Sequence, residues 1–119
     1  MLHLGKRYVY SASGPNTFDC SGFVLYCVTQ IYDLPLQRTA RDQGYDDTFI
    51  KVEEISKLKI GDLVYFNTVR DRDLCDHAGI YIGNNKFIHC SSSKRKVIIS
   101  ELEGTHYEST FSWGRRLIE

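Results

Sequence analysis

The residues best placed to do chemistry stand in one short segment, Phe18-Asp19-Cys20-Ser21-Gly22-Phe23-Val24. Loop-type residues run straight into a helical pattern there, so Cys20 is expected in the first turn of a helix. A thiol is a poor nucleophile until ionised, and a helix N-terminus carries about half a positive charge, which favours thiolate. Cys20 lies four residues before Val24 and seven before Cys27, on the face expected to pack inward. The competing reading is a buried structural thiol, since cysteine is among the most buried residue types. The segment alone does not separate the two. Cys27, mid-helix on the apolar stripe, has no activating neighbour and reads as core.

A cysteine nucleophile needs a base, usually histidine, and the base needs an orienter. Of the four histidines, His3 and His106 stand in polar surroundings and read as solvated. His77 and His89 flank Gly83-Asn84-Asn85, a hairpin signal. Side-chain parity decides whether they meet, because a one-residue change in loop length flips one strand's side chains relative to the other. A two-residue loop, Asn84-Asn85, would put them on opposite faces. A three-residue loop, Gly83-Asn84-Asn85, pairs Ile82 with Lys86 and Gly79 with His89. His77, Gly79 and His89 then share one face, while Ala78, Ile80, Ile82, Ile88 and Cys90 form an apolar one. We therefore expect the three-residue loop, with Asn85 at positive φ. The histidine face is expected to look at the first turn of the helix, close enough for a Cys20–His77 sulfur–nitrogen hydrogen bond. Two histidines and a cysteine could also hold zinc, but no HExxH, CxxC or clustered ligand set marks a metal site.

The elements that must hold these residues follow from periodicity. Phe23, Val24, Cys27, Val28 and Ile31 recur at helical spacing, giving an amphipathic helix over 20–32 that Leu34-Pro35 ends. Residues 5–19 read as loop, and Thr39–Gln43 as a short helix. Val52 to Leu58 leads into a Gly61-Asp62 turn. Strands are expected at 63–66, 78–82, 86–90, 97–99 and 115–118, with a loop over 67–76. Helices come first and an antiparallel sheet after, an α+β arrangement.

The chain has 119 residues, close to the commonest single-domain size, so one domain over 1–119 with one core is expected. Its formal net charge is zero, which gives no electrostatic footprint for nucleic acid or an anionic membrane. Lys94-Arg95-Lys96 reads as a solvated turn before a strand. No apolar run reaches membrane-span length. Cys20 and Cys27, about 10 Å apart along one helix, cannot form a disulfide. Free thiols are expected, with Cys75–Cys90 the nearest thing to a candidate bridge. No secretory signal opens the sequence. Action in the cytoplasm, export by a route without a signal, and excision from a longer chain all stay open. The protein is expected to be monomeric.

Together, Phe18-Asp19-Cys20-Ser21-Gly22-Phe23-Val24, then Leu58 with Gly61-Asp62-Leu63-Val64-Tyr65-Phe66, then His77-Ala78-Gly79-Ile80-Tyr81-Ile82-Gly83-Asn84, then Lys86-Phe87-Ile88-His89, resemble the NlpC/P60 family of cell-wall cysteine peptidases, a branch of the papain-like fold. The motifs stand in family order and span most of the chain. The resemblance implies Cys20 as nucleophile, His77 as general base and His89 as the third, orienting member. It implies that Tyr8 lies beside the nucleophile and helps stabilise the tetrahedral intermediate, and that Asp19 and Ser21 line the substrate cleft. It implies a peptidoglycan stem peptide as substrate, cut between γ-linked D-glutamate and a diamino acid, with no metal or other cofactor. One departure stands out: the family usually has two glycines soon after the tyrosine, where this chain has Ser11-Ala12. The family's usual signal peptide or wall-binding domain is also missing from the sequence. Action on the cell wall is expected, with the chain secreted, surface-associated or phage-delivered, or part of a longer protein.

Two rivals belong beside this reading. A papain-like amidase or acyltransferase would need apolar surface around the cleft, and the loops here are polar. A non-catalytic wall-binding module would be marked by loss of the cysteine or histidine, and both are present.

Overall fold

The computed structural model describes residues 4–10, 12–14, 16–32, 36–68 and 75–117. His3, Ser11, the Leu34-Pro35 stop, most of the 67–76 loop and Ile118 fall outside them. Three helices and eight strands follow one another as β1 (Arg7–Tyr8), β2 (Thr17–Phe18), α1 (Cys20–Tyr32), α2 (Ala40–Gly44), β3 (Ile50–Val52), β4 (Leu63–Phe66), β5 (His77–Gly83), β6 (Lys86–Ser91), β7 (Lys96–Glu101), α3 (His106–Thr110) and β8 (Phe111–Arg116), with a 3₁₀ turn at Ile55–Lys57. The strands form one sheet in the order β2-β1-β7-β6-β5-β4-β8-β3, antiparallel except for β1 against β2. The α+β expectation holds.

Each face of the sheet carries its own apolar cluster, as alternation along the strands requires. On one face α1 brings Phe23, Val24 and Val28 against Leu63, Tyr65, Ala78, Ile88, Cys90 and Val97. On the other, Val64, Phe66, Phe87 and Leu102 pack with Tyr81, Tyr107 and Phe111. β4 lies between β5 and β8 and meets a cluster on each face, Leu63 and Tyr65 on one and Val64 and Phe66 on the other, so its run Leu63-Val64-Tyr65-Phe66 is buried throughout. Ile31, expected on the buried stripe of α1, is instead 70% exposed, because the last helical turn runs past the apolar cluster.

Two features hold the first turn of α1. Asp19 caps it, its Oδ1 accepting from the Gly22 N–H at 2.6 Å. A Cβ on Gly22 would collide with the Ala12 carbonyl, so glycine is what lets the segment before the helix pass this close. α2 is capped by Thr39 and tied to β8, where Trp113 Nε1 and Arg115 Nε both donate to the Gly44 carbonyl, at 2.6 and 2.8 Å.

The hairpin corrects one expectation and upholds its consequence. Gly83 pairs with Lys86 around a two-residue turn, and both Asn84 and Asn85 have positive φ, 51° and 64°. The expected three-residue loop is absent. Tyr81 nevertheless pairs with Phe87 and Ile80 with Ile88, because the ladder shifts between Tyr81 and Gly83. Ile82 is the extra residue of a β-bulge. Asn-Asn suits the left-handed turn that a tight hairpin demands, and the bulge then restores the parity that the turn alone would have reversed.

The other differences are local. β1 and β2 lie in the stretch read as loop, and β3 and α3 were not anticipated. The strand expected at 115–118 begins earlier, at Phe111. Elements of two or three residues are too short to show periodicity.

Candidate active site

Cys20 opens α1 and lines an open cleft of about 360 Å³. Tyr8 and Tyr10 line it with Arg38, Thr39 and Ala40, and Asp19, Ser21 and Asp76 complete the lining. The sequence-predicted Tyr8, Asp19, Cys20 and Ser21 are therefore together. Behind them, His77 Nε2 and His89 Nδ1 lie 2.7 Å apart with their rings near perpendicular, at 84°. Gly79 lies on β5 two residues after His77, and a Cβ there would press on Phe87, the Ile88 carbonyl and His89 Cβ at 2.8–3.1 Å.

The relation of Cys20 to His77 differs from expectation. The histidines do not look at the helix. They lie on the opposite face of the sheet, packed with Phe66, Phe87 and Tyr107. Alternation demands this, since α1 claims the Ala78–Ile88–Cys90 face. Cys20 meets the strand at its backbone: its Sγ points to the Asp76 carbonyl oxygen at a long 3.8 Å, and the Ala78 N–H supports the sulfur. Among the described residues no hydrogen bond joins Cys20 to His77. The ring nitrogen of His77 that remains unpaired with His89 is Nδ1, the one nearest the backbone that Cys20 touches.

Burial sets the protonation states. It pushes the Cys20 thiol up to about 11, the Ala78 and Ser21 N–H groups pull it down, and the Asp19 carboxylate adds to the rise. Burial lowers His77 to about 4, against a smaller upward pull from Asp76. It lowers His89 to about 3, with His77 adding to the effect. The helix N-terminus was expected to favour thiolate. Desolvation and the capping carboxylate act against it, and burial favours a neutral thiol and a neutral imidazole. Burial raises Tyr8 as well, with the Cys20 sulfur next in effect, as fits a phenol beside that thiol.

Asp19 and Ser21 line the cleft but are already engaged. Arg38 pairs with Asp19 Oδ2 at 2.9 Å and donates to Ser21 Oγ at 3.1 Å. Arg38, Tyr10, Thr39 and Asp76 were missed in the sequence. Arg38 belongs to a polar stretch whose one legible signal was the short-helix pattern up to Gln43. Gln43 is fully buried, donating to the Ser21 and Gln37 carbonyls and accepting from Tyr65 Oη, and so ties the cleft wall to the first turn of α1. Asp76 is held by Thr68, whose N–H and Oγ both reach its Oδ1, at 2.9 and 2.6 Å. His106 is exposed, as expected, but within α3. All four cysteines are free, and Cys90 Sγ donates to the Phe18 carbonyl.

Known proteins are similar to this chain in sequence and in fold. Murein DD-endopeptidase MepH of Escherichia coli is 34% identical over 99% of this chain and 43% of its own length. Murein DD-endopeptidase MepS/Murein LD-carboxypeptidase of the same species is 36% identical over 96% of this chain and 57% of its own. The chain thus spans about half the length of these curated relatives. Among solved structures, NlpC2 from Trichomonas vaginalis superposes with a TM-score of 0.86 at 33% identity, covering 97% of this chain and 42% of that one. The match to the family itself runs from residue 5 to residue 116, taking in the capped cysteine helix, the histidine hairpin and the sheet between them, and on that ground this chain belongs to the NlpC/P60 family.

Proposed function

We propose that this chain is a cysteine endopeptidase of peptidoglycan stem peptides, acting on the cell wall as a monomeric domain. The observation that carries the reading is a cysteine at a capped helix start, lining an open cleft and backed by the His77–His89 pair at 2.7 Å. The names of the similar proteins support the substrate class. No helix among the described residues is long and apolar enough to cross a membrane.

Cys20 is the nucleophile, His77 the base and His89 its orienter in this reading. With the stem peptide in the cleft, His77 Nδ1 takes the thiol proton as sulfur attacks the amide carbon. The Cys20 backbone N–H, at the first helical position where no intrahelical acceptor exists, faces the developing oxyanion, with Tyr8 beside it. His77 then gives its proton to the leaving amine, and water releases the acyl-enzyme. Asp19 and Ser21 act with Arg38, a cation on the cleft wall suited to a substrate carboxylate.

The bond between γ-linked D-glutamate and the diamino acid is the expected cut. A second reading, the D,D cross-link between stems, is favoured by the names of both Escherichia coli relatives. Purified cross-linked and uncross-linked muropeptides, digested and weighed, separate the two. A mass loss at the diamino acid of an uncross-linked stem supports the first, and resolution of dimers into intact monomers supports the second. Equal product from the Cys20→Ala variant would sink both.

A further inference from the structure

The chain of contacts behind Cys20 does not stop at His89. Its Nδ1 faces His77 Nε2 at 2.7 Å, and its Nε2 lies 2.9 Å from Ser100 Oγ. His89 is fully buried. Ser100 sits on β7 opposite Phe87, one step diagonal from His89, which pairs with Ile98. Ser100 is half-buried and lines a second groove of about 290 Å³, with Ile98, His106 and Tyr107, away from the Cys20 cleft. No part of the reaction described so far uses Ser100.

We propose that Ser100 is the fourth link of the site: a positioning residue that accepts from the His89 Nε2–H and thereby sets the tautomer of both histidines. This rests on the cysteine-peptidase reading above.

A neutral imidazole carries one N–H, so only two arrangements satisfy the His77–His89 contact. In the first, His77 Nε2–H donates to His89 Nδ1, His89 Nε2–H donates to Ser100 Oγ, and His77 Nδ1 keeps its lone pair. In the second, His89 Nδ1–H donates to His77 Nε2, Ser100 donates to His89 Nε2, and the hydrogen of His77 sits on Nδ1. Only the first leaves a base on the side of Cys20. It requires an acceptor at His89 Nε2, and Ser100 Oγ is the atom there. Because Ser100 also borders the groove, its own hydroxyl hydrogen can turn to solvent while its lone pair serves His89. When His77 becomes imidazolium, both its nitrogens must donate, and the first arrangement already supplies the acceptor at each step. Without the hydroxyl, a buried His89 Nε2–H would have no partner, and the pair would move to the second arrangement.

The test is long-range proton–nitrogen NMR on histidine-labelled resting protein, combined with steady-state kinetics on muropeptide. In the wild type, both His77 and His89 should be Nε2–H tautomers. In Ser100→Ala, both should change to Nδ1–H, with kcat down about tenfold or more and KM within twofold. Ser100→Thr keeps a hydroxyl and should restore both readouts, which a purely structural role for the strand position would not link. Wild-type tautomers in Ser100→Ala, or an unchanged kcat, overturn the proposal. The tautomers are read without turnover, so a wild type that cleaves no peptidoglycan would sink the functional reading while the spectra still judged Ser100.

Discussion

Cys20 and His77 approach each other around the end of a strand, not across one face of a sheet. The sulfur rests on the backbone of residues 76–78 from the helix side, while the imidazole leaves the same strand on the other side and pairs with His89. Cys20, the proposed nucleophile, thus lines the cleft, while His77, the proposed base, is sheltered with His89, at exposures of 9% and 0%. Such shelter favours the neutral form of both groups, and that state can be measured.

Alkylation of Cys20 should report a neutral thiol. With the thiol pushed up to about 11 and His77 down to about 4, little thiolate exists at neutral pH. The iodoacetamide rate at Cys20, followed by peptide mass, should climb about tenfold per pH unit between pH 6 and 9. A resting thiolate–imidazolium pair would instead give a fast rate that is flat over this range. A plateau would show that the proton already sits on His77 before substrate binds.

Acid should destabilise the fold before the carboxylates titrate. An unfolded histidine takes its proton near pH 6.5, whereas folded His77 and His89 wait until about 4 and about 3. Between those values the unfolded chain binds more protons, so stability is complete above pH 6.5 and is lost as pH falls. By pH 5 each histidine costs about 2 kcal/mol. Thermal denaturation at pH 7 and pH 5 should show a clear drop, and a His77→Asn/His89→Asn double variant should show much less. Equal melting temperatures at the two pH values in the wild type would contradict the burial argument.

Substitutions along the chain should rank by role. His77→Ala removes the proposed base and should lower kcat by about 10²–10⁴-fold. His89→Gln can still accept from His77 Nε2 and should keep part of the activity. His89→Ala should lie between them, since it leaves His77 Nε2 and Ser100 Oγ without their partner. Higher activity in His77→Ala than in His89→Ala would mean that the two roles are exchanged. Circular dichroism on each variant separates lost chemistry from lost fold.

How much of this the residues announce varies along the chain for physical reasons. α1 and the strands β4 to β7 show themselves through periodicity and through turn residues such as Gly61-Asp62 and Asn84-Asn85. β1, β2 and β3 do not, because two or three residues cannot display alternation. The pairing of His77 with His89 was legible by parity, but its device was not. A three-residue loop and a two-residue turn followed by a bulge place both histidines alike, and nothing in Tyr81-Ile82-Gly83 separates them. Alternation already implied that the helix and the histidines use opposite faces, since Ala78 and Cys90 belong with the apolar set. The expected Cys20–His77 hydrogen bond overlooked that consequence. Arg38 and Asp76 enter the cleft from irregular segments, whose paths follow from tertiary contacts such as Gln43 with Ser21 and Thr68 with Asp76.

Deleting Ile82 tests the bulge directly. In a regular ladder, loss of one residue reverses every side chain beyond it, and His77 would move to the face that α1 covers. Here Ile82 is the surplus residue: Tyr81 already pairs with Phe87, and Gly83 with Lys86. Its removal should leave those pairs adjacent in an unbroken ladder, with the Asn84-Asn85 turn intact and His77 still against His89. Ile82 packs partly against the helix-side cluster, so the deletion should cost about 1–2 kcal/mol of stability. The variant should therefore melt at a lower temperature yet keep muropeptide hydrolysis within a few-fold of wild type. It should also keep the wild-type histidine tautomers. A folded deletion variant with no activity and an uncoupled His77 would show that Ile82 is not the surplus residue of the ladder.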